Sequence, residues 1–435
     1  AHIPMILHKN PKAILAVGSR ACQIAGKFLF YEINRLDCVV REKRIIPIIN
    51  KYFDSNWLND PRINIFTDDE RNFIANIKSQ YDIISLEIEN MYHPYRGYFY
   101  SIDFYKLCKQ KLLKNGLVIQ HIPVFYTSTG EFKSIVNSFI SVFPKSILWY
   151  NGPDLLLIGS LEVQPGISQN RIDLIDNDIH INIDFSYTYW GGPRHWLTHD
   201  DMFLTGFLLS SDKLKNFVKN SPLIRDDLPL MKCNYTNNNE NRLYLEFIKE
   251  NLEPTENIYN GELSDLTRDF IKYMRILNIN DIYTRQLIKE YEHTKEIKFL
   301  NRAYSNNPKN YKVNYLLGVD WNNYGHFEYA IKYFSQSIAI NPNVEKVHNV
   351  LAMLYHQVGN FTKALYHYHE ALRINPSYYP AHNNIGVLLE NQGSYKEAID
   401  HFEQALQIKP DFKNSQINLK RIKDKFPFLK TYSEK

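Results

Sequence analysis

PKAILAVGSRACQIAGKFLFYEINRLDCVVRE, residues 11–42, reads as strand, tight turn, helix and second strand. Residues 12–18 are an apolar run ending in glycine, the pattern of a strand buried on both faces of a parallel sheet. The spacing predicts a helix over 24–33 and a second strand over 37–41. Such a unit opens a nucleotide-binding α/β domain. The turn Gly18-Ser19-Arg20-Ala21-Cys22 nevertheless lacks the later glycines that let backbone approach a bound cofactor.

Working outward, the alternation continues. A helix is predicted over 45–53, a strand over 62–66, a helix over 68–77 and a strand over 81–87. Residues 101–115 read as an amphipathic helix with Phe104, Leu107, Leu112 and Leu113 on its apolar face. A strand over 117–120, a helix over 131–143 and a hairpin of 146–150 with 155–158 around Asn151-Gly152-Pro153 close the pattern. Strands and helices alternating in this way predict a Rossmann-like, doubly wound and mostly parallel α/β sheet. Its ligand crevice is expected at the carboxyl ends of the strands, near 18–22, 41–42, 68–70 and 87–90.

The last third is periodic. Pro308, Pro342, Pro376 and Pro410 stand 34 residues apart, as do Gly325, Gly359 and Gly393. Ala330, Ala364 and Ala398 share the period, with Phe334, Tyr368 and Phe402, with Gly318, Ala352 and Gly386, and with Ser337, Ala371 and Ala405. Small residues let two helices pack closely, the aromatic fills the gap to the next pair, and proline ends the second helix. The pattern resembles the tetratricopeptide repeat, an all-α solenoid. Full repeats are expected at 311–344, 345–378 and 379–412, a degenerate one at 277–310 and a capping helix at 411–425. The chain thus divides into an α/β domain over 1–162, an α-rich connector over 163–275 and a repeat domain over 276–435.

Composition bounds the function classes. The 435 residues hold 51 Lys and Arg against 47 Asp and Glu, a net charge of +4, so nucleic acid is not an expected partner. Cys22, Cys38, Cys108 and Cys233 lack metal-ligand spacing and read as reduced thiols of a cytoplasmic protein. No apolar run reaches the roughly 18 residues of a membrane span. In the connector, His195 and His199 lie four apart and Asp200 and Asp201 follow, a pairing that could face a metal from one helix. The sequence offers no obvious third ligand, and aromatics beside Gly191-Gly192-Pro193 favour a packed loop, so no metal is expected.

HIPMILHKNPKAILAVG, DPRINIFTDDERNFI, YDIISLEI, YFYSIDFYKLCKQKLLKNGLVIQ and FKSIVNSFISVFP, in this order, resemble the spermidine synthase (aminopropyltransferase) family over about residues 1–160. The resemblance implies a methyltransferase-like fold and decarboxylated S-adenosylmethionine as ligand. FLLSSDKLKNFVKNSPLIRDDLPLM, residues 207–231, is similar to the tail of the membrane-fused branch, some members of which end in tetratricopeptide repeats. That branch implies transmembrane helices upstream of the domain, and so a location at the inner face of a membrane.

Carried over by residue, the family's functional positions match in part. Gly18 matches the first glycine of the ligand loop, and Arg20 and Cys22 stand where glycines are expected. The ribose-binding acid aligns with Val40, which accepts no hydrogen bond, and Glu42 lies nearby. Asp69 matches the acid on the adenine side, and Glu70 replaces the small residue after it. The two catalytic aspartates match Glu87 and Asn90, with Glu89 between. A glutamate can act as base, but an asparagine takes no proton. Tyr98, Tyr100, Tyr105 and Gln120 keep family positions, where they also serve the sheet. Gly18, Glu42, Asp69 and Gln120 therefore read as a vestigial ligand site, and Glu87, Glu89 and Asn90 as vestigial catalytic positions. Arg20, Arg41, Lys43 and Arg44 form either a solvated rim or an anion-binding edge.

The expectation is a non-catalytic scaffold, without cofactor, whose repeats bind a protein or peptide in a membrane-associated assembly. The alternative is an active aminopropyltransferase or other S-adenosylmethionine-type enzyme with a remodelled site. The partner face, by repeat position, comprises Tyr315, Val319, Asn322, Asn349, Met353, His356, Asn383, Val387 and Glu390. The amides of Asn349 and Asn383 are expected to serve a peptide backbone, since they donate and accept.

Overall fold

Ile14, Leu15, Ala16 and Val17 expose no surface, because β1 (Ala13–Val17) lies inside a sheet covered on both faces. The computed structural model describes residues 1–18, 24–44, 46, 56–87, 96–124, 127–151, 154–186, 199–227 and 243–426. The other strands are β2 (Arg35–Val40), β3 (Ile63–Thr67), β4 (Tyr81–Leu86), β5 (Leu112–Ile122), β6 (Lys145–Asn151), β7 (Asp154–Ser160) and β8 (Phe207–Ser210). They form one sheet in the order β3-β2-β1-β4-β5-β7-β6-β8. The first five are parallel, and β7, β6 and β8 add on by antiparallel pairing. The order reverses at β1 and β4, which creates a switch point at their carboxyl ends.

The predicted helix over 101–115 is shorter in the structure. Helix Ile102–Gln110 starts at the Ser101 cap and stops at Lys111. Leu112 and Leu113 then enter β5, and Asn115 takes a left-handed φ of 64° that no helix continues. An apolar pair satisfies either pattern, and pairing beside Tyr81 of β4 decides for the strand. The helix predicted over 24–33 is a 3-10 turn, Ala25–Phe30.

The chain falls into two compact units, Ala1–Ile282 and Tyr283–Lys435, with the division inside helix Asp265–Thr294. The first unit includes the segment expected as a connector. Residues 200–218 read as one helix in the sequence but do not form one: helix His199–Leu204 gives way to β8, then to helix Ser211–Phe217. The break is at Gly206, where a Cβ would come within 2.1 Å of the buried Trp149 indole. Only glycine lets the chain pass that ring and pair with β6. Ile167, Ile172, Ile175, Phe203, Leu204, Tyr259 and Ile271 join the core that holds Ile14 and Val40. Arg275, 3% exposed, ties this segment together by donating to the carbonyls of Glu253 at 2.7 Å and Leu204 at 3.1 Å and to Thr255 Oγ1 at 2.8 Å.

In the second unit the repeats are paired helices: Tyr311–Asn323 with Phe327–Ile340, Glu345–Gln357 with Phe361–Ile374, and Tyr379–Asn391 with Tyr395–Ile408. Gly325, Gly359 and Gly393 turn each pair at φ of 76°, 80° and 82°, where a side chain is strained. Gly318 and Gly386 lie against the rings of Phe334 and Phe402. Where the degenerate repeat is expected stand the C-terminal part of helix Asp265–Thr294 and helix Ile297–Asn306, whose Leu287, Tyr291, Leu300 and Ala303 pack with Val313 and Leu317 of the first full repeat. Helix Lys413–Lys425 ends the stack with Ile422 beside Phe402.

One contact recurs at every junction. Asn314 Nδ2 donates to Pro308 O at 2.8 Å, His348 Nε2 meets Pro342 O at 3.0 Å, His382 Nε2 meets Pro376 O at 3.3 Å, and Gln416 Nε2 donates to Pro410 O at 2.8 Å. The prolines are 34 apart and so are the side chains that pin them. Each pin satisfies the carbonyl of a proline two residues beyond the end of the preceding helix.

Candidate functional site

The crevice expected from the sequence is assembled at the ends of β1, β2, β3 and β4. Gly18 follows β1 with φ of 102° and donates to Val39 O at 3.0 Å. On the other side Glu87 donates its backbone N–H to Val17 O at 3.0 Å, which sets the end of β4 beside the turn. Val40 is 1% exposed and Glu42 points to solvent. Arg20, Cys22, Glu89 and Asn90 lie outside the described residues.

Asp69 caps helix Glu70–Asn76 by accepting from the backbone N–H groups of Arg71 and Asn72, both at 3.1 Å. An acid caps well because the first N–H groups of a helix have no internal partner. Arg41 is ion-paired to Asp69, and its Nε lies 3.6 Å from the buried Glu70 carboxylate. Partial burial opposes ionisation of Asp69, yet the Asn72 N–H, the Arg41 guanidinium and the Arg71 N–H together hold its carboxyl below the ordinary value. The sequence placed Arg41 on either a solvated rim or an anion-binding edge. The structure turns it onto the two acids that open helix Glu70–Asn76. The signal was available in the chain: Glu70, too bulky for its position, brings a charge that needs a cation.

Gln120, wholly buried at the end of β5, is occupied by the fold. Its Oε1 accepts from Tyr105 OH at 3.2 Å and its Nε2 donates to His121 O at 3.0 Å. Tyr105 is fully buried and burial drives its phenol far above the ordinary value, so it stays neutral. Tyr98 offers its carbonyl to Arg71 NH1 at 3.0 Å, and Arg71 is ion-paired to Asp226. Asp226 also accepts from Ser101 Oγ at 2.7 Å. Residues 224–227 thus strap down the start of helix Ile102–Gln110, a role their sequence did not announce. His121 Nε2 and Asp154 Oδ2, both buried, meet at 2.9 Å and join β5 to β7.

Of the metal pairing in the connector, His195 and the side chains of His199, Asp200 and Asp201 lie outside the described residues. Among the described residues no three His, Cys, Asp or Glu side chains are grouped to hold a metal, and no helix is long and apolar enough to cross a membrane.

On the repeats, Met353 is 47% exposed, while Tyr315, Val319, Asn322, His356, Val387 and Glu390 are half-buried on the first helices. Asn349 and Asn383, each 5% exposed, are committed to neighbouring side chains. Asn349 Oδ1 accepts from Asn384 Nδ2 at 3.0 Å, and Asn383 Oδ1 accepts from Ser415 Oγ at 3.0 Å and Asn418 Nδ2 at 3.1 Å. Asn383 Nδ2 donates to Asn384 Oδ1 at 3.2 Å. The two amides expected to serve a peptide therefore lace one repeat to the next. Glu390 is gripped by Arg421 through two bonds of 3.0 and 2.6 Å. What this face offers a partner is chiefly the apolar line of Tyr315, Val319, Met353 and Val387.

Residues 1–153 match the family model of the spermine/spermidine synthase domain, and residues 352–393 and 379–412 match tetratricopeptide repeat models. The polyamine aminopropyltransferase of Clostridium perfringens is 28% identical over 129 residues, 29% of this chain and 45% of that protein. The one from Streptococcus uberis is 29% identical over 150 residues, 33% of this chain and 52% of that protein. The chain thus spans about half the length of the curated relatives it matches. The spermidine synthase structure from Thermotoga maritima is 18% identical with a TM-score of 0.37, over 50% of this chain and 72% of that one. Residues 1–153 thus form a spermidine synthase-like domain of Rossmann-like, methyltransferase-type fold, and tetratricopeptide repeats follow C-terminally.

Proposed function

We propose that this spermidine synthase domain is a non-catalytic scaffold and that the repeats joined to it engage a protein or peptide within a larger assembly. The carrying observation is the Arg41–Asp69 ion pair. In the family resemblance Asp69 is the acid on the adenine side of the ligand. Here it is neutralised from within, and Val40, which accepts no hydrogen bond, ends the strand that should hold the ribose. A ligand entering from that side has to break the ion pair and finds no second acid at the ribose position. Arg20 and Cys22 remove two glycines from the same crevice.

Isothermal calorimetry of the full chain with decarboxylated S-adenosylmethionine, and with S-adenosylmethionine, is expected to give no heat of binding up to millimolar ligand. Micromolar binding of either overturns the scaffold reading and favours the alternative, an active aminopropyltransferase or related enzyme. That alternative draws on Glu87, a possible base beside Gly18, and on the names of the relatives. The ligand-bearing role of Gly18, Glu42, Asp69 and Gln120 stands or falls with that measurement.

The partner role rests on the apolar line of the first helices, in which Met353 is exposed and Tyr315, Val319 and Val387 are half-buried. Full-length chain and a Met353→Glu/Val387→Glu variant are expected to differ as baits. The wild type should retain a source-cell protein that the variant loses, at equal helicity by circular dichroism. Identical retention by both removes this face from the proposal. A membrane-associated setting is part of the same proposal, and depletion of the retained protein from membrane fractions would count against it.

A further inference from the structure

His348 and His367 form a pair within the second full repeat, and His382 and His401 stand 34 residues further on in the third. In each pair the Nδ1 atoms face one another, at 3.1 and 3.3 Å. The other nitrogen of His348 and of His382 faces a proline carbonyl in the junction pin described above. A carbonyl oxygen only accepts, so Nε2 of the pinning histidine carries hydrogen and its Nδ1 is the lone pair. His367 and His401 must then donate from Nδ1. The relay closes with both rings neutral.

Added protons have little room in it. The first has only Nε2 of the donating ring to occupy. A second would set two N–H groups against each other across 3.1 Å. The surroundings disfavour even the first. His348 and His367 are 4% and 8% exposed. The ring of Tyr355 stacks on His367 with centroids 5.6 Å apart, and Tyr366 meets it edge-on at 5.0 Å. Lys363 repels a charge on His367 and Arg373 one on His348. Glu370 attracts both, but it is hydrogen-bonded to Arg373 at 3.0 Å. Around His401, His382 and His369 repel and Asp400 attracts.

We propose that the two histidine pairs are an acid-sensitive clasp, which holds the helices of residues 345–408 together while the imidazoles are neutral and loosens them in mild acid. The first repeat and the terminal helix carry Asn314, Tyr333 and Gln416 at the corresponding positions, so the sensitivity is confined to the middle of the stack.

The sign follows from where protons bind. An imidazole in the unfolded chain titrates near 6.5. In the folded repeats burial, the partner imidazole and Lys363 push His367 down to about 4, against the pull of Glu370. Burial also lowers His348, His382 and His401. The unfolded state therefore takes up protons first. Stability is full above about 6.5, falls as the pH drops below it, and levels off beneath the folded value.

The test is amide hydrogen exchange on the full chain at pH 7 and pH 5, with intrinsic rates divided out. Protection over 345–408 is expected to fall about 20-fold or more from His367 alone. The variant His348→Asn/His367→Tyr/His382→Asn/His401→Tyr, which copies the pair of the first repeat, should lose far less between the two pH values. Equal losses in wild type and variant overturn the clasp. If the variant does not fold, histidine ring resonances of the wild type decide. The signal missing from a His367→Tyr protein must titrate below 5, and a midpoint at or above 6 overturns the proposal.

Discussion

Phe402→Ala is expected to lower the stability of the repeat unit by about 3–5 kcal/mol. The ring is wholly buried, and it lies against Gly386, where a Cβ would come within 2.6 Å of its edge. Glycine offers no side chain that could fall into the vacated space, so the cavity stays. The same ring also touches the cluster of Ala398, Ile399 and Ile422, through which helix Lys413–Lys425 is attached. In a repeat array each unit contacts only its neighbours, so the loss is local. Helices Tyr395–Ile408 and Lys413–Lys425 should lose exchange protection while Tyr311–Asn323 keeps it. Uniform loss along the stack would mean that the repeats unfold as one block. Urea denaturation of the full chain, followed by circular dichroism, gives the magnitude.

The second large effect is expected at Arg275→Ala, a loss of about 3–5 kcal/mol in the first unit. Its guanidinium serves two backbone carbonyls and a hydroxyl that have little access to water. Removing the guanidinium restores some solvation energy, because burial already depresses its basicity to about 9. The orphaned acceptors and the cavity outweigh this gain. Arg275→Lys should be intermediate, since one ammonium cannot span three acceptors arranged for a planar fork. The readout is the urea midpoint of the first unit. A shift equivalent to less than about 1 kcal/mol in the alanine variant would show that water replaces the guanidinium.

Strands β1, β2 and β4 were legible because each is a short, largely apolar run between turn residues, and burial on both faces demands that pattern. The repeats were legible because glycine turns, small packing positions and junction prolines recur at one period. Less was legible where two patterns overlap. Leu112 and Leu113 satisfy a helix face and a strand equally, and the positive φ of Asn115 settles the matter only in three dimensions. Residues 207–210 looked like part of a helix because the tryptophan that excludes a side chain at Gly206 lies on a distant strand. At the crevice, the family resemblance implied which ligand-holding residues are replaced. It did not show that Arg41 folds back onto Asp69, nor that Gln120 is occupied by Tyr105, because such pairings depend on strand order. The asparagines of the repeats misled for a related reason: an amide at a groove position can serve a partner or the next repeat, and its spacing is the same in both cases.

The junction pins have a consequence for how such a chain changes length. The three full repeats are built from the same parts: a glycine turn, an aromatic ring facing a small residue, and a closing proline whose carbonyl a polar side chain reaches. A duplication or deletion of one 34-residue block, cut at equivalent positions, recreates at the new seam the contacts that already exist at the old ones. Genetic slippage by whole periods then keeps the proline pins, whereas slippage by any other length leaves a carbonyl without its donor and a ring without its cavity.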